Sequence, residues 1–208
     1  MTFIDQILFD IGGVLGTNGW DREQRAAAVT RFGLDADDFQ YRHEETVGAF
    51  ESGDISLDEY LDVTVFWTAR PFTREAFRQF MFELSTPNAE SIEVVRALRR
   101  SIRGKPTRIR MATLNNESRE LNEFRIDHFG LCALFDVFFS SCWLGVRKPT
   151  RVIYERVLGM TQADPASTLF VDDRQQNLAP AGALGMHTIH FRSAGQLAGE
   201  LRDLGFEL

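Results

Sequence analysis

Two short apolar runs, each ending in carboxylates, constrain this 208-residue chain more than any other feature. Residues 7–15 read ILFDIGGVL and set Asp10 just before a glycine pair, while residues 168–173 read TLFVDD and end on Asp172 and Asp173. Short, continuously apolar runs mark strands buried on both faces, as in a parallel sheet. An acid at the carboxyl end of such a strand stands where open α/β sheets bind ligands. Acids converging at that edge repel one another unless a cation joins them. Hard oxygen ligands suit magnesium better than zinc, so a Mg2+ site is expected. Between the two runs, GVRKP at 145–149 supplies Lys148, whose ammonium can offset the acids and hold a phosphate oxygen as a point charge. Pro149 restricts the backbone before it and so aims that side chain.

The rest of the chain reads as strand–helix alternation broken by one long helical block. Residues 4–10 form the first strand, and Gly12, Gly13, Gly16 and Gly19 make a turn-rich exit. From about 20 to 86 the signals are helical, including a capping box at Ser56–Glu59 and Phe77, Phe80, Met81 and Leu84 at helical spacing. Asn88 caps the next helix, with Ile92, Val95 and Leu98 on one face and Gly104 and Pro106 as its stop. Strands follow at 108–114, 136–140, 168–172 and 187–191, separated by helices at 117–128, 150–159 and one closed by Gly185. Pro180 inside that last helix predicts a late start or a kink. Repeated strand–helix units imply an α/β fold, a parallel sheet with helices on both faces. The helical block is then an insert over the carboxyl edge, where a lid excludes water and selects substrate.

Composition sets the outer limits. A hydrophobic fraction of 44 % supports a packed core, and a formal charge of −7 disfavours nucleic acid and anionic membrane as partners. No run reaches the ~18–20 apolar residues of a membrane helix. The acidic start MTFIDQILFD lacks the basic residues of a secretory leader, and Cys132 and Cys142 form no disulfide framework. A reduced, cytoplasmic protein is expected, with both cysteines buried as small hydrophobes.

Each candidate residue also has an ordinary structural reading. Asp10 could cap the exit from its strand, Asp172 or Asp173 could cap the following helix, and Asn115 and Asn116 could begin a turn. Gly12 and Gly13, with backbones bare enough for close ligand approach, tip the balance towards chemistry at Asp10. At the same sheet edge an Asn115 or Asn116 amide can donate to an anion. Arg42, His43, Trp67 and Arg70 of the insert are possible lid contacts, each better read as surface or packing, and Phe77 and Phe80 are core.

FDIGGVL, LNNES, GVRKP and FVDDRQQN, in this order, resemble the four motifs of the haloacid dehalogenase superfamily. The resemblance spans essentially the whole chain and implies a three-layer Rossmann-like core (1–16 and 87–208) carrying an inserted α-helical cap (17–86). Most members of that superfamily are magnesium-dependent phosphatases. The resemblance implies that Asp10 is a nucleophile forming an aspartyl-phosphate on a small phosphorylated metabolite. It also implies that Mg2+ is held by Asp10, the Gly12 carbonyl and Asp173, with Asp172 acting directly or through water. Lys148 would neutralise the nucleophile and the transferring group, with Asn115 and Asn116 at the phosphate. Monomer and homodimer are both compatible with this reading.

Two positions depart from the pattern. The phosphatases normally carry a second Asp two residues after the nucleophile, as general acid and base, and here that residue is Gly12. Losing such a group typically costs ~10²–10⁴-fold. Some members related to glucose-1-phosphate phosphatases also have glycine there. A good leaving group, an ordered water, or a cap residue such as His43 or Glu44 would meet the need. In motif two the usual hydroxyl becomes Asn115, with Thr113 a poorer substitute because its alignment needs a gap. Two rival readings remain: a 2-haloacid dehalogenase, whose relatives generally lack the Asp–Asp pair, and a binding protein that kept the metal cradle without turnover.

Overall fold

A computed structural model describes residues 3–103 and 109–208. Its centre is a five-stranded parallel sheet: β1 (Gln6–Phe9), β2 (Arg110–Asn115), β3 (Val137–Ser140), β4 (Thr168–Asp172) and β5 (His187–His190). The spatial order is β3-β2-β1-β4-β5. β1 is flanked by β2 and β4, with Phe9 level with Thr113 on one side and Val171 on the other. The order reverses at β1, so the crevice beyond its carboxyl end is the sheet's topological switch point.

Side chains alternate between the two faces, and each face has its own core. Ile7, Phe9, Met111, Leu169 and Val171 pack with Ile92, Val95 and Leu98 of α5 (Ala89–Ile102) and Leu197 and Leu201 of α10 (Ala194–Asp203). Leu8, Ala112, Leu114 and Phe170 pack with Ile153, Tyr154 and Val157 of α8 (Arg151–Thr161) and Leu178 and Ala181 of α9 (Gln175–Ala183). Helix, sheet and helix thus form the three layers of a Rossmann-like core.

Four helices leave the sheet after β1: α1 (Arg22–Phe32), α2 (Ala36–Ser52), α3 (Leu57–Thr64) and α4 (Arg74–Glu83). They enclose a third cluster around Trp20, Phe39, Phe50, Tyr60, Phe77 and Met81, with Phe80 half-buried against it. They form a helical insert between β1 and α5. Ser56 and Glu59 form the expected capping box, and Asn88 caps α5 through the Ser91 amide. The stop signal at Gly104 and Pro106 lies outside the described residues.

Three expectations change. Cys132 is exposed, because the short turn at Leu131–Ala133 buries only Leu131; Cys142 is buried as expected, in α7 (Ser141–Leu144). α9 starts at Gln175 and runs through Pro180. The amide lost there would have served the carbonyl of Gln176, an exposed residue that water can reach. The helix expected from 117 begins later, as α6 (Arg119–His128), because the Glu117 amide leaves the helical path to donate to Ser141 Oγ at 3.0 Å.

Candidate active site

β1 and β4 bring the two acidic runs together at the switch point. Asp10 follows β1, Asp172 closes β4 and Asp173 comes next. A carboxylate oxygen from each lies within 4.8 Å of the others. Lys148 enters from the loop before α8, just ahead of its cis peptide bond to Pro149, and is buried beneath the cluster. Its Nζ stands 2.9 Å from Asp10 Oδ2 and donates to Asp172 Oδ2 at 2.7 Å and the Leu114 carbonyl at 2.9 Å. All three ammonium donors are thereby spent.

The three acids are held differently. Asp10 Oδ1 accepts the Ile11 amide at 2.8 Å. Burial pushes Asp10 up to about 8, with Asp172 and Asp173 adding to the rise and the Lys148 ammonium opposing it. Asp172 is fully buried and saturated: Asn177 Nδ2 bonds both of its oxygens, the Arg174 amide bonds Oδ1 and Lys148 bonds Oδ2. Asp173 is pushed up by burial and by Asp172, and its Oδ1 is buried without a hydrogen-bond partner. A side chain on Gly13, at φ +73°, would overlap the Asp173 carboxylate. Mutually repelling acids, one orphaned oxygen and a glycine-lined approach fit a divalent cation.

The cluster opens into a cavity of about 340 Å³ lined by Asp10, Gly12, Asn18, Arg22, Arg25, Asn116, Glu117, Lys148 and Arg174, among others. Of the two candidate asparagines, Asn116 lines this cavity, and its amide pairs in both directions with the Lys148 backbone at 2.8 Å. Asn115 is buried behind it, donating to Asn122 Oδ1 at 3.0 Å. Thr113 is buried in β2, its hydroxyl without a hydrogen-bond partner.

The insert residues singled out earlier lie elsewhere. His43 is buried against the Tyr60 hydroxyl at 2.8 Å, and burial with Arg25 and Arg147 lowers it to about 4. Arg42 lies 4.0 Å over the exposed Trp67 ring, Arg70 bonds the Val65 carbonyl, and Glu44 bonds Gln40. Sequence reasoning missed Glu117 and Arg125, both buried. Glu117 belongs to LNNES, so it was in view as a neighbour of the asparagines. Arg125 carried no local signal.

A family model for haloacid dehalogenase-like hydrolases matches residues 4–185. The chain belongs to that family. A sesquiterpene phosphatase of Aspergillus oryzae is 32 % identical over 199 residues, covering 95 % of this chain and 94 % of the relative. Among solved structures, one described as a HAD-like family hydrolase from Porphyromonas gingivalis superposes with a TM-score of 0.76 at 24 % identity, covering 99 % of this chain and all of that one. Another from Bacteroides thetaiotaomicron, a complex with magnesium and inorganic phosphate, superposes at 0.66 with 20 % identity, covering 92 % and 96 %. At these identities the two structures share the family's fold. Among the described residues no helix is long and apolar enough to cross a membrane.

Proposed function

We propose that this haloacid dehalogenase-like hydrolase is a magnesium-dependent phosphatase of a small phosphorylated metabolite, acting through an aspartyl-phosphate on Asp10. One observation carries the reading: Lys148 is shared between Asp10 and Asp172 while Asp173 stands beside them with an oxygen unsatisfied. A carbon-attacking dehalogenase has no use for that third acid. The phosphatase relative and the magnesium–phosphate complex support the same reading.

Asp10, the Gly12 carbonyl and Asp173 would hold Mg2+, with Asp172 acting through water because its oxygens are already committed. When bound, the ion supplies Lewis-acid stabilisation of charge on the phosphoryl oxygens. Asp10 attacks phosphorus with one carboxylate oxygen. Lys148 favours the ionised form of that carboxylate against its burial and faces the charge spreading over the transferring group. Asn116 fixes the Lys148 backbone, and Asn115 braces the strand end through Asn122. Arg22, Arg25 and Arg174 make the cavity wall attractive to an anion. Residues 17–86 form the cap domain and 1–16 with 87–208 the core. We place the protein in the cytoplasm.

The test is phosphate release from a panel of phosphorylated metabolites and p-nitrophenyl phosphate, with magnesium and with chelator. Turnover that needs magnesium and vanishes in Asp10→Asn is the expected result. Turnover that survives Asp10→Asn, or its absence on every substrate, would overturn the reading.

A further inference from the structure

We infer that Glu117 supplies the proton transfer that Gly12 cannot, as the general acid that protonates the leaving oxygen and the base that then activates water; this rests on the phosphatase reading. Gly12 and Glu117 come from different motifs, yet both abut Gly19. A Cβ on Gly12 would lie 3.5 Å from the Gly19 nitrogen, and a Cβ on Gly19 would lie 2.5 Å from Glu117 Oε2. Gly12 and the Glu117 carboxylate are therefore both neighbours of Gly19. Glu117 lines the same cavity as Asp10 and Lys148.

Its hydrogen bonding leaves one oxygen for this work. Glu117 is 3 % exposed. Oε1 accepts the Ser118 amide at 3.0 Å, whereas Oε2 is buried with no hydrogen-bond partner. Arg125 Nη1 lies 3.7 Å from Oε2, beyond hydrogen-bond distance, while Arg125 bonds Ser85 Oγ and the Asn18 carbonyl. A buried polar oxygen left unmade costs ~1–3 kcal/mol, and such groups call for a reason. Position is secured from both sides of the crevice: the Glu117 amide donates to Ser141 Oγ, which donates to the Glu51 carbonyl of the helical insert. Burial, opposed by Arg125 and assisted by Glu51, raises the carboxyl to about 7. A group poised there can give and take a proton near neutrality.

The steps balance. An Asp10 oxygen bonds to phosphorus, the bond from phosphorus to the leaving oxygen breaks, and the Glu117 proton goes to that oxygen to give the alcohol. The Glu117 carboxylate then takes a proton from water, the water oxygen bonds to phosphorus, and the Asp10–phosphorus link breaks. Phosphate leaves and Glu117 is protonated again.

The experiment compares first-turnover and steady-state rates on p-nitrophenyl phosphate, whose leaving group departs unprotonated, with those on an alkyl monophosphate. Wild type, Glu117→Gln, Glu117→Asp and Asp10→Asn are run with magnesium. Glu117→Gln should cut the first turnover on the alkyl ester by ~10²–10⁴-fold and on the nitrophenyl ester by less than about tenfold. It should also leave a nitrophenolate burst followed by a slow steady state. Glu117→Asp should fall between. Equal losses on both esters, as a merely structural role would give, or no loss at all, would overturn the assignment while leaving the phosphatase intact. A wild type with no magnesium-dependent turnover on either ester would overturn both. Each variant's first-turnover amplitude, normalised to active sites, separates misfolding from chemistry, and Glu117→Asp carries the comparison if Glu117→Gln fails to fold.

Discussion

Replacing Lys148 by methionine keeps the length and apolar stem of the side chain and removes only its charge and donors. Three acceptors lose their partner: Asp10 Oδ2, Asp172 Oδ2 and the Leu114 carbonyl. The ammonium is about 1 % exposed and Asp172 fully buried, so water cannot take its place without rearrangement. Removing one member of a buried ion pair costs ~3–5 kcal/mol. That is a large share of the ~5–15 kcal/mol that holds a domain folded. Urea unfolding in chelator at about pH 8 should show this loss. The loss should grow as pH rises above about 8, because Asp10, which burial holds up to about 8, then carries a charge that the missing ammonium no longer offsets. Saturating magnesium should shrink it, since a cation at the acids replaces part of the lost charge. Turnover should fall by at least ~10², the scale for removing a preorganised charge at a transition state. A variant as stable as wild type in chelator at about pH 8, or a loss that ignores both pH and magnesium, would refute the electrostatic account of Lys148.

Three further outcomes are expected. Asn116→Ala removes both bonds to the Lys148 backbone, so kcat should drop at least about tenfold with ~1–3 kcal/mol of stability; unchanged kcat in a urea-resistant variant would count against a positioning role. Gly13→Ala forces a Cβ onto the Asp173 carboxylate at a positive φ, so magnesium affinity measured by calorimetry should weaken well beyond the effect on apo stability. Glu117 is raised to about 7 in the fold from an ordinary 4.5. Between those values the folded state holds a proton that the unfolded state has released, so its contribution to stability falls as pH rises, by at most about 1.4 kcal/mol per pH unit. Wild-type stability relative to Glu117→Gln should therefore decline from about pH 5 to about pH 7.5; a constant difference would contradict the burial of that carboxyl.

The sheet was legible because its strands are short apolar runs with few alternative packings. Ile7, Leu8 and Phe9 must be buried on both faces, so helices must cover both, and helix-period segments follow at the right intervals. Asp10 and Asp172 were visible as strand-end acids for the same reason. Pro180 did not delay the start of its helix, because the amide it lacks would have served the carbonyl of an exposed residue. Cys132 misled because a three-residue turn has room to bury only one side chain.

What the sequence determined alone was therefore the α/β architecture, the helical insert and the ends of the strands where the acids sit. These follow from hydrophobic periodicity and turn chemistry, which act over a few residues. Tertiary structure decided the rest. It divided Asn115 from Asn116, one bracing a strand end and the other holding the Lys148 loop. It buried Lys148 between two carboxylates rather than leaving it in solvent. It brought Glu117 to the wall beside Gly19, far from Gly12 in sequence, and left one of its oxygens without a hydrogen bond. Charge burial and hydrogen-bond satisfaction depend on neighbours brought together by chain crossings, and no local pattern encodes them.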